Sequence, residues 1–168
     1  MSDVSVIDLN LSNVNSVCKA IEFTGKSSEL VDTPESLKKA KKIVLPGVGS
    51  FDTAMLKLKQ LNLLDTLNNK ALHEKVPILG ICLGYQLMTN SSDEGVLNGL
   101  GWFDAETVSL TKLVQDASVK IPHMGWNEVS WKKGTKADSL IDNLRVPSRF
   151  YFVHSYIPDF KDKKGVFG

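Results

Sequence analysis

The chain has 168 residues, 42% of them hydrophobic and 23% charged, and its formal net charge at pH 7 is +1. These values fit one soluble globular domain over residues 1–168, and they give no electrostatic reason to expect binding to nucleic acid or to an anionic membrane. The chain is polar from residue 2, and no apolar run approaches the roughly 20 residues of a membrane span. We therefore expect a cytoplasmic protein whose two cysteines are free thiols.

The first half of the sequence alternates short apolar runs with helical patterns. The runs predict strands at Val4–Leu9, Glu29–Val31, Lys42–Leu45 and Val76–Ile81. Periodicity and start signals predict helices over Val14–Phe23, from Thr33, from Asp52, over Leu61–Lys75 and from Leu83. This alternation predicts an α/β fold with a mostly parallel central sheet flanked by helices on both faces.

The second half of the sequence lacks this alternation of strands and helices. Trp102–Leu110, Gly125–Trp131 and Arg149–Ile157 are predicted strands separated by turns, and Lys164–Gly168 begins what could be another. We expect these segments to be β-rich additions to the sheet.

The segment Gly80–Gly84 (GICLG) has the spacing of a nucleophile elbow, with cysteine in place of serine. In such an elbow a sharp strand-to-helix turn exposes a strained nucleophile, and the flanking glycines avoid collisions. The N-terminus of a helix beginning at Leu83 would favour the Cys82 thiolate, and the Leu83 amide could stabilise an oxyanion. The structural alternative is a buried cysteine at the end of a strand, which is how we interpret Cys18 on its apolar helix stripe.

A second glycine-rich turn, Pro46–Phe51 (PGVGSF), follows another predicted strand. In parallel sheets, ligands bind beyond the carboxyl ends of the strands. Alone, the turn would also fit a phosphate loop or a plain tight turn, although it lacks the Lys-Ser/Thr of a P-loop. Beside a cysteine elbow, a contribution to an oxyanion hole is the favoured interpretation.

Gly80–Gln86 (GICLGYQ) and PGVGSF together resemble the class I glutamine amidotransferases. Three more segments resemble the glutaminase subunits of imidazole glycerol phosphate synthase: Gly99–Trp102 (GLGW), Pro122–Asn127 (PHMGWN) and Tyr151–Tyr156 (YFVHSY). The resemblance implies a flavodoxin-like three-layer architecture, without a metal or a cofactor.

The resemblance also implies individual roles. Cys82 attacks the side-chain amide of glutamine, and backbone N–H groups of Val48, Gly49 and Leu83 hold the oxyanion. The ammonia passes to a cyclase partner with a (β/α)₈ barrel, in a heterodimer that makes imidazole glycerol phosphate and AICAR for histidine biosynthesis. Positions matching glutamine contacts are Gly47, Gln86, Glu94, His154, Ser155 and Tyr156, and positions matching the partner interface are Asn13, Trp126 and Tyr151.

The family's general base and the carboxylate that orients it belong to a His-Pro-Glu motif, which these 168 residues do not contain. His123 and His154 are not expected to replace it. We therefore expect the sequence to be truncated before its base and inactive as it stands, because a triad acts as a unit. The alternatives are a paralogous glutaminase for surface-sugar modification, a non-catalytic pseudo-glutaminase, and an α/β-hydrolase-type cysteine hydrolase, which would leave PHMGWN unexplained.

Overall fold

A computed structural model describes residues 2–115, 120–129 and 148–162. Strands and helices alternate in the first half, as predicted. The strands are β1 (Val4–Ile7), β2 (Ser28–Val31), β3 (Ile43–Gly47) and β4 (Ile78–Cys82). The helices are α1 (Val14–Phe23), α2 (Pro34–Leu37), α3 (Phe51–Gln60), α4 (Leu64–Asn68) and α5 (Leu83–Gln86).

These four strands form one parallel sheet in the order β2-β1-β3-β4. The predicted α/β class is therefore confirmed. β3 and β4 pair from Ile43 opposite Ile78 to Gly47 opposite Cys82. This register brings the glycine-rich turn after β3 next to the cysteine that ends β4.

The main hydrophobic core lies on one face of the sheet. There, buried Leu45 of β3 packs with Phe51 and Leu58 of α3 and with Leu83 of α5. Side chains alternate along a strand, so the neighbouring residues point to the opposite face. The second cluster, on that face, consists of Val6, Val14 and Val44, with Val17, Cys18 and Ile21 of α1 against it.

The outer face of β4 is an exception to the predicted burial on both sides. Leu79 and Ile81 are 52% and 39% exposed. The reason is that α1 packs mainly on β1 and β2, while β4 lies at the edge of the described sheet. Leu79 and Ile81 line an apolar cavity of about 320 Å³ together with Val17 and Ile21 of α1.

The second half forms two antiparallel pairs instead of additions to the parallel sheet. β5 (Ala105–Ser109) pairs with β8 (Tyr156–Phe160), and β6 (His123–Val129) pairs with β7 (Ser148–His154). Helix α6 (Leu110–Leu113) follows β5. Within the described ranges, neither pair joins the four-stranded sheet.

The predicted strand Arg149–Ile157 is wrong in its continuity. The strand is interrupted at Ser155, because β7 pairs with β6 whereas β8 pairs with β5. The predicted strand Lys164–Gly168, and residues 130–131 of the strand predicted from Gly125, lie outside the described residues.

The predicted helix Leu61–Lys75 is shorter and irregular. It consists of α4 followed by a π-helical turn, Asn69–His73. Asn62 and Lys75 both have a φ of 55°, which the interior of a right-handed helix does not allow. No helix among the described residues is long and apolar enough to cross a membrane.

Helix α3 offers a matched test of the core. Leu58 is fully buried, whereas Leu56 on the same helix is 47% exposed. Leu58→Ala should lower the free energy of unfolding by about 2–5 kcal/mol, and Leu56→Ala by less than about 1 kcal/mol, because only the first leaves a cavity. Urea denaturation monitored by circular dichroism measures both values. Equal losses would contradict the assigned core.

Candidate active site

Cys82 is the last residue of β4, and α5 begins at the next residue. Its φ of 53° and ψ of −117° lie in a strained region for a residue with a side chain. Its side chain is exposed. The predicted exposed thiol at a strand–helix corner is therefore present.

The glycines of the elbow are required by close packing. A Cβ on Gly80 would lie 2.6 Å from Cα of Tyr85, and a Cβ on Gly84 would collide with the carbonyl oxygen of Leu45. The helix therefore folds back onto its own strand on one side and onto β3 on the other. This is the physical reason for the GICLG spacing.

Helix α5 has only four residues, Leu83–Gln86. Few peptide dipoles are aligned in so short a helix, and stabilisation of the Cys82 thiolate by its N-terminus stays a prediction. What the elbow does supply are the first backbone N–H groups of a helix, which have no partner within the helix.

Cys82 opens onto a cavity of about 400 Å³, a size typical of small-molecule sites. The Nε2 of Gln86 donates a hydrogen bond to the carbonyl oxygen of Tyr156 at 3.2 Å, which joins α5 to β8 across the cavity. Of the six predicted glutamine contacts, Gln86, His154 and Tyr156 line the cavity, whereas Gly47, Glu94 and Ser155 do not.

The predicted oxyanion turn lies directly beside the elbow. A Cβ on Gly47 would lie 3.1 Å from the amide nitrogen of Gly84. Gly49 has a φ of 99° and open space around its Cα, and Val48 is 53% exposed. The turn thus combines proximity to Cys82 with a backbone conformation that glycine adopts without strain.

The loop that contains Glu94 is fastened to the first turn of α3. An oxygen of Glu94 accepts a hydrogen bond from the Phe51 N–H at 2.8 Å. The Asp52 carboxylate accepts from the N–H groups of Val96 and Leu97, the latter at 3.0 Å. The sequence indicates Asp52 only as the start of a helix, because an acidic residue in a first helical turn is an ordinary helix signal.

Two half-buried histidines lie at the cavity: His154 lines it, and His123 lies beside His154. His123 Nδ1 lies 2.9 Å from His154 Nε2, and His154 Nδ1 lies 3.2 Å from the carbonyl oxygen of Tyr156. The other ring nitrogen of His123 lies 3.1 Å from Oδ1 of Asn127. Both nitrogens of His154 are thus engaged, and neither is free to take a proton from Cys82.

The residues predicted to face a partner are exposed. Trp126 and Tyr151 are opposite each other on β6 and β7, with exposed fractions of 63% and 53%. Their rings meet edge to face with centroids 5.7 Å apart. Asn13 is the exposed N-cap of α1, in the connection that follows β1 at the same edge of the sheet as Cys82.

Comparison with known proteins identifies the family of this chain. The family model "Glutamine amidotransferase class-I" matches residues 5–166. The imidazole glycerol phosphate synthase subunit HisH 2 of Methanococcus maripaludis is 48% identical over 97% of this chain and 78% of its own length. The subunit HisH 1 of Campylobacter jejuni is 44% identical over 95% of this chain and 77% of its own.

Solved structures share the fold at low sequence identity. A crystal structure of a glutamine amidotransferase superposes with a TM-score of 0.65 at 17% identity, over 95% of this chain and 74% of that chain. A glutamine amidotransferase from Thermotoga maritima gives 0.57 at 16% identity, over 94% and 62%. At such identities the likeness concerns the fold alone.

The two cysteines should differ in reactivity because of their exposure. Cys82 is exposed, whereas Cys18 is half-buried against the second cluster. We expect a thiol reagent to modify Cys82 at least about tenfold faster, since access is a main determinant of thiol reactivity. Mass spectrometry of the native protein over time measures both rates, with Cys82→Ala as the control. Comparable rates at the two sites would contradict the open elbow.

Proposed function

Because this chain belongs to the class I glutamine amidotransferases, we propose that it is a glutaminase subunit that hydrolyses glutamine to glutamate and ammonia for histidine biosynthesis. One observation carries the proposal: Cys82 stands in strained geometry, exposed, at the mouth of a cavity of about 400 Å³. The family match and the HisH relatives support glutamine as the substrate of Cys82. The reaction needs no cofactor and belongs in the cytoplasm.

In the proposed reaction the Cys82 sulfur attacks the side-chain amide carbon of glutamine. A C–S bond forms, and the carbonyl oxygen becomes an oxyanion. Collapse of this intermediate breaks the C–N bond, and ammonia leaves after receiving a proton. Water then attacks the thioester and the C–S bond breaks, which releases glutamate and regenerates the thiol of Cys82.

The oxyanion hole in this proposal consists of backbone N–H groups of Val48, Gly49 and Leu83. Its support is the close approach of the Gly47 turn to α5 and the positive φ of Gly49. A Gly-Val-Gly segment can turn a peptide over at low energetic cost. We propose that the hole forms fully only when the partner holds its acceptor, which would keep ammonia from being wasted.

The glutamine would lie between the elbow and β7–β8. Gln86, His154 and Tyr156 line the cavity, and this supports their proposed contacts with the substrate. Gly47 would contribute backbone beside Cys82. An oxygen of Glu94 accepts a hydrogen bond from the Phe51 N–H, at the end of the proposed oxyanion turn, and Ser155 lies between β7 and β8. We propose that these two complete the far side of the site.

The ammonia would pass to a cyclase with a (β/α)₈ barrel, the second subunit of a heterodimer. The relatives are named as synthase subunits, which supports a partner of some kind. The exposed aromatic pair of Trp126 and Tyr151 has the composition of an interface hot spot. With Asn13 it would form the surface that meets the barrel.

The numbered names of the relatives favour a second candidate function, that of a paralogous glutaminase. Relatives carry numbered names, HisH 2 in Methanococcus maripaludis and HisH 1 in Campylobacter jejuni. A paralogous glutaminase that supplies ammonia for surface-sugar modification would have the same elbow. The two differ in which partner and acceptor raise glutaminase activity. A non-catalytic subunit differs from both in never releasing glutamate.

Glutamate release tests the enzyme proposal. The 168 residues lack a His-Pro-Glu base, so with the cyclase they should release glutamate no faster than their Cys82→Ala variant. A form extended by a segment with His-Pro-Glu should be faster by on the order of 10²–10⁴-fold or more, the contribution of a general base. Its rate should rise further when the cyclase ligand is added, because that ligand completes the oxyanion hole.

Two results would contradict this account. Turnover by the 168 residues that is lost with Cys82→Ala would show that a base is already present. An extended form that is equally active with and without the cyclase ligand would exclude the proposed coupling.

Interface variants test the partner proposal. Trp126→Ala and Tyr151→Ala should each raise the Kd for the cyclase by about tenfold or more, the usual effect of truncating a central aromatic residue. Phe23→Ala is the control, because Phe23 is 94% exposed at the opposite end of α1 from Asn13. Calorimetry or surface plasmon resonance gives the Kd values. Unchanged binding by both aromatic variants would refute this surface.

A further inference from the structure

A continuous chain of hydrogen bonds links the β6–β7 pair to the elbow helix. It runs from Asn127 to His123, from His123 to His154, and from His154 to the carbonyl oxygen of Tyr156. The same carbonyl accepts from the side-chain amide of Gln86. His123 is therefore connected to a residue four positions after the nucleophile, although it does not itself line the cavity.

The two ends of the hydrogen-bond chain are polar groups of the protein. The carbonyl oxygen of Tyr156 can only accept, so Nδ1 of His154 donates to it. At the other end, the side-chain amide of Asn127 lies against Nε2 of His123. The bond of 2.9 Å between Nδ1 of His123 and Nε2 of His154 joins the two ends.

The backbone favours this arrangement. His123 and His154 are opposite each other in the β6–β7 register. Gly125, which lies between His123 and Asn127, carries no side chain to separate them. Phe152, opposite Gly125, stacks on the His123 ring with centroids 5.1 Å apart and an angle of 26°. The ring plane of His123 is thereby fixed toward its two hydrogen-bond partners.

Besides His154, the ionisable groups that line the cavity in the described part of the chain are the thiol and phenols of Cys82, Tyr85, Tyr151 and Tyr156. The charged side chains of Glu128 and Arg149 are opposite each other further along the β6–β7 ladder.

We propose that His123 is a positioning residue of the glutamine site, an inference that rests on the proposed function. With His154 it holds the carbonyl of Tyr156, and through that carbonyl it orients the amide of Gln86. The Nε2 of Gln86 is then used within the protein, which leaves its Oε1 as the acceptor for an N–H group of the substrate. Loss of His123 would weaken glutamine binding without changing the reaction at sulfur.

Nitrogen NMR of the histidine rings tests the direction of the bond between His154 and Tyr156. The chain has three histidines, and exposed His73 serves as an internal reference. We expect a proton on Nδ1 of His154, because the carbonyl oxygen of Tyr156 can only accept a hydrogen bond. A His154 ring protonated only on Nε2, with a bare Nδ1, would overturn the proposal. This measurement needs no variant and no activity.

The kinetic test uses a glutamine-like chloroketone, which alkylates Cys82: the thiolate sulfur forms a C–S bond and displaces chloride. His123→Phe should raise the half-saturating concentration about 5- to 10-fold, the effect of losing a hydrogen bond of ordinary strength. It should leave the limiting rate of alkylation within about twofold. His123→Asn, which keeps a donor near Nδ1, should restore the wild-type value, and a merely structural role would not give this rescue.

The outcomes distinguish failure of the proposed function from failure of the positioning role of His123. Absence of saturable labelling of Cys82 in the wild-type chain would refute the proposed function. Saturable labelling that is unchanged in His123→Phe would refute only the positioning role. Thermal unfolding of each variant identifies misfolding, and in that case the NMR measurement on the wild-type protein decides: a bare Nδ1 on His154 would overturn the positioning role.

Discussion

The close approach of the elbow to its neighbouring strand is the constraint on which the rest of the structure depends. Gly84 lies so near the carbonyl oxygen of Leu45 that no side chain fits between them, and a Cβ on Gly80 would lie 2.6 Å from Cα of Tyr85. Buried Leu83 and Leu87 fasten the same turn to the core. A positive φ at a cysteine costs on the order of 1–3 kcal/mol, and this packing is what offsets it. The strain is useful because it exposes the sulfur.

The remaining parts of the site are arranged around that turn. The register of β3 with β4 fixes the glycine-rich turn after β3 beside Cys82, and the contacts of Glu94 and Asp52 hold the following helix and loop together. On the other side, Gln86 and the carbonyl of Tyr156 tie the elbow to the antiparallel strands. The cavity is thus bounded by elements from both halves of the chain, and the change of partner at Ser155 brings β7 and β8 to the same wall.

Local chemistry explains what could be predicted from the sequence. GICLG and PGVGSF specify their turns through glycine, so the elbow and its neighbouring loop were predictable, as was the parallel sheet. Long-range pairing explains the failures. Nothing local indicates that the strand predicted over Arg149–Ile157 changes partners, or that α1 leaves Leu79 and Ile81 uncovered. The histidine pair was equally hidden, because 31 residues separate its two rings in the chain.

A crystal structure of the chain after reaction with a glutamine-like electrophile tests the central claim most directly. The account predicts continuous electron density from the sulfur of Cys82 into the cavity, with the glutamine-like portion between Gln86 and Tyr156 and the left-handed backbone at Cys82 retained. Density on Cys18, or an adduct that points into solvent away from β7 and β8, would contradict it.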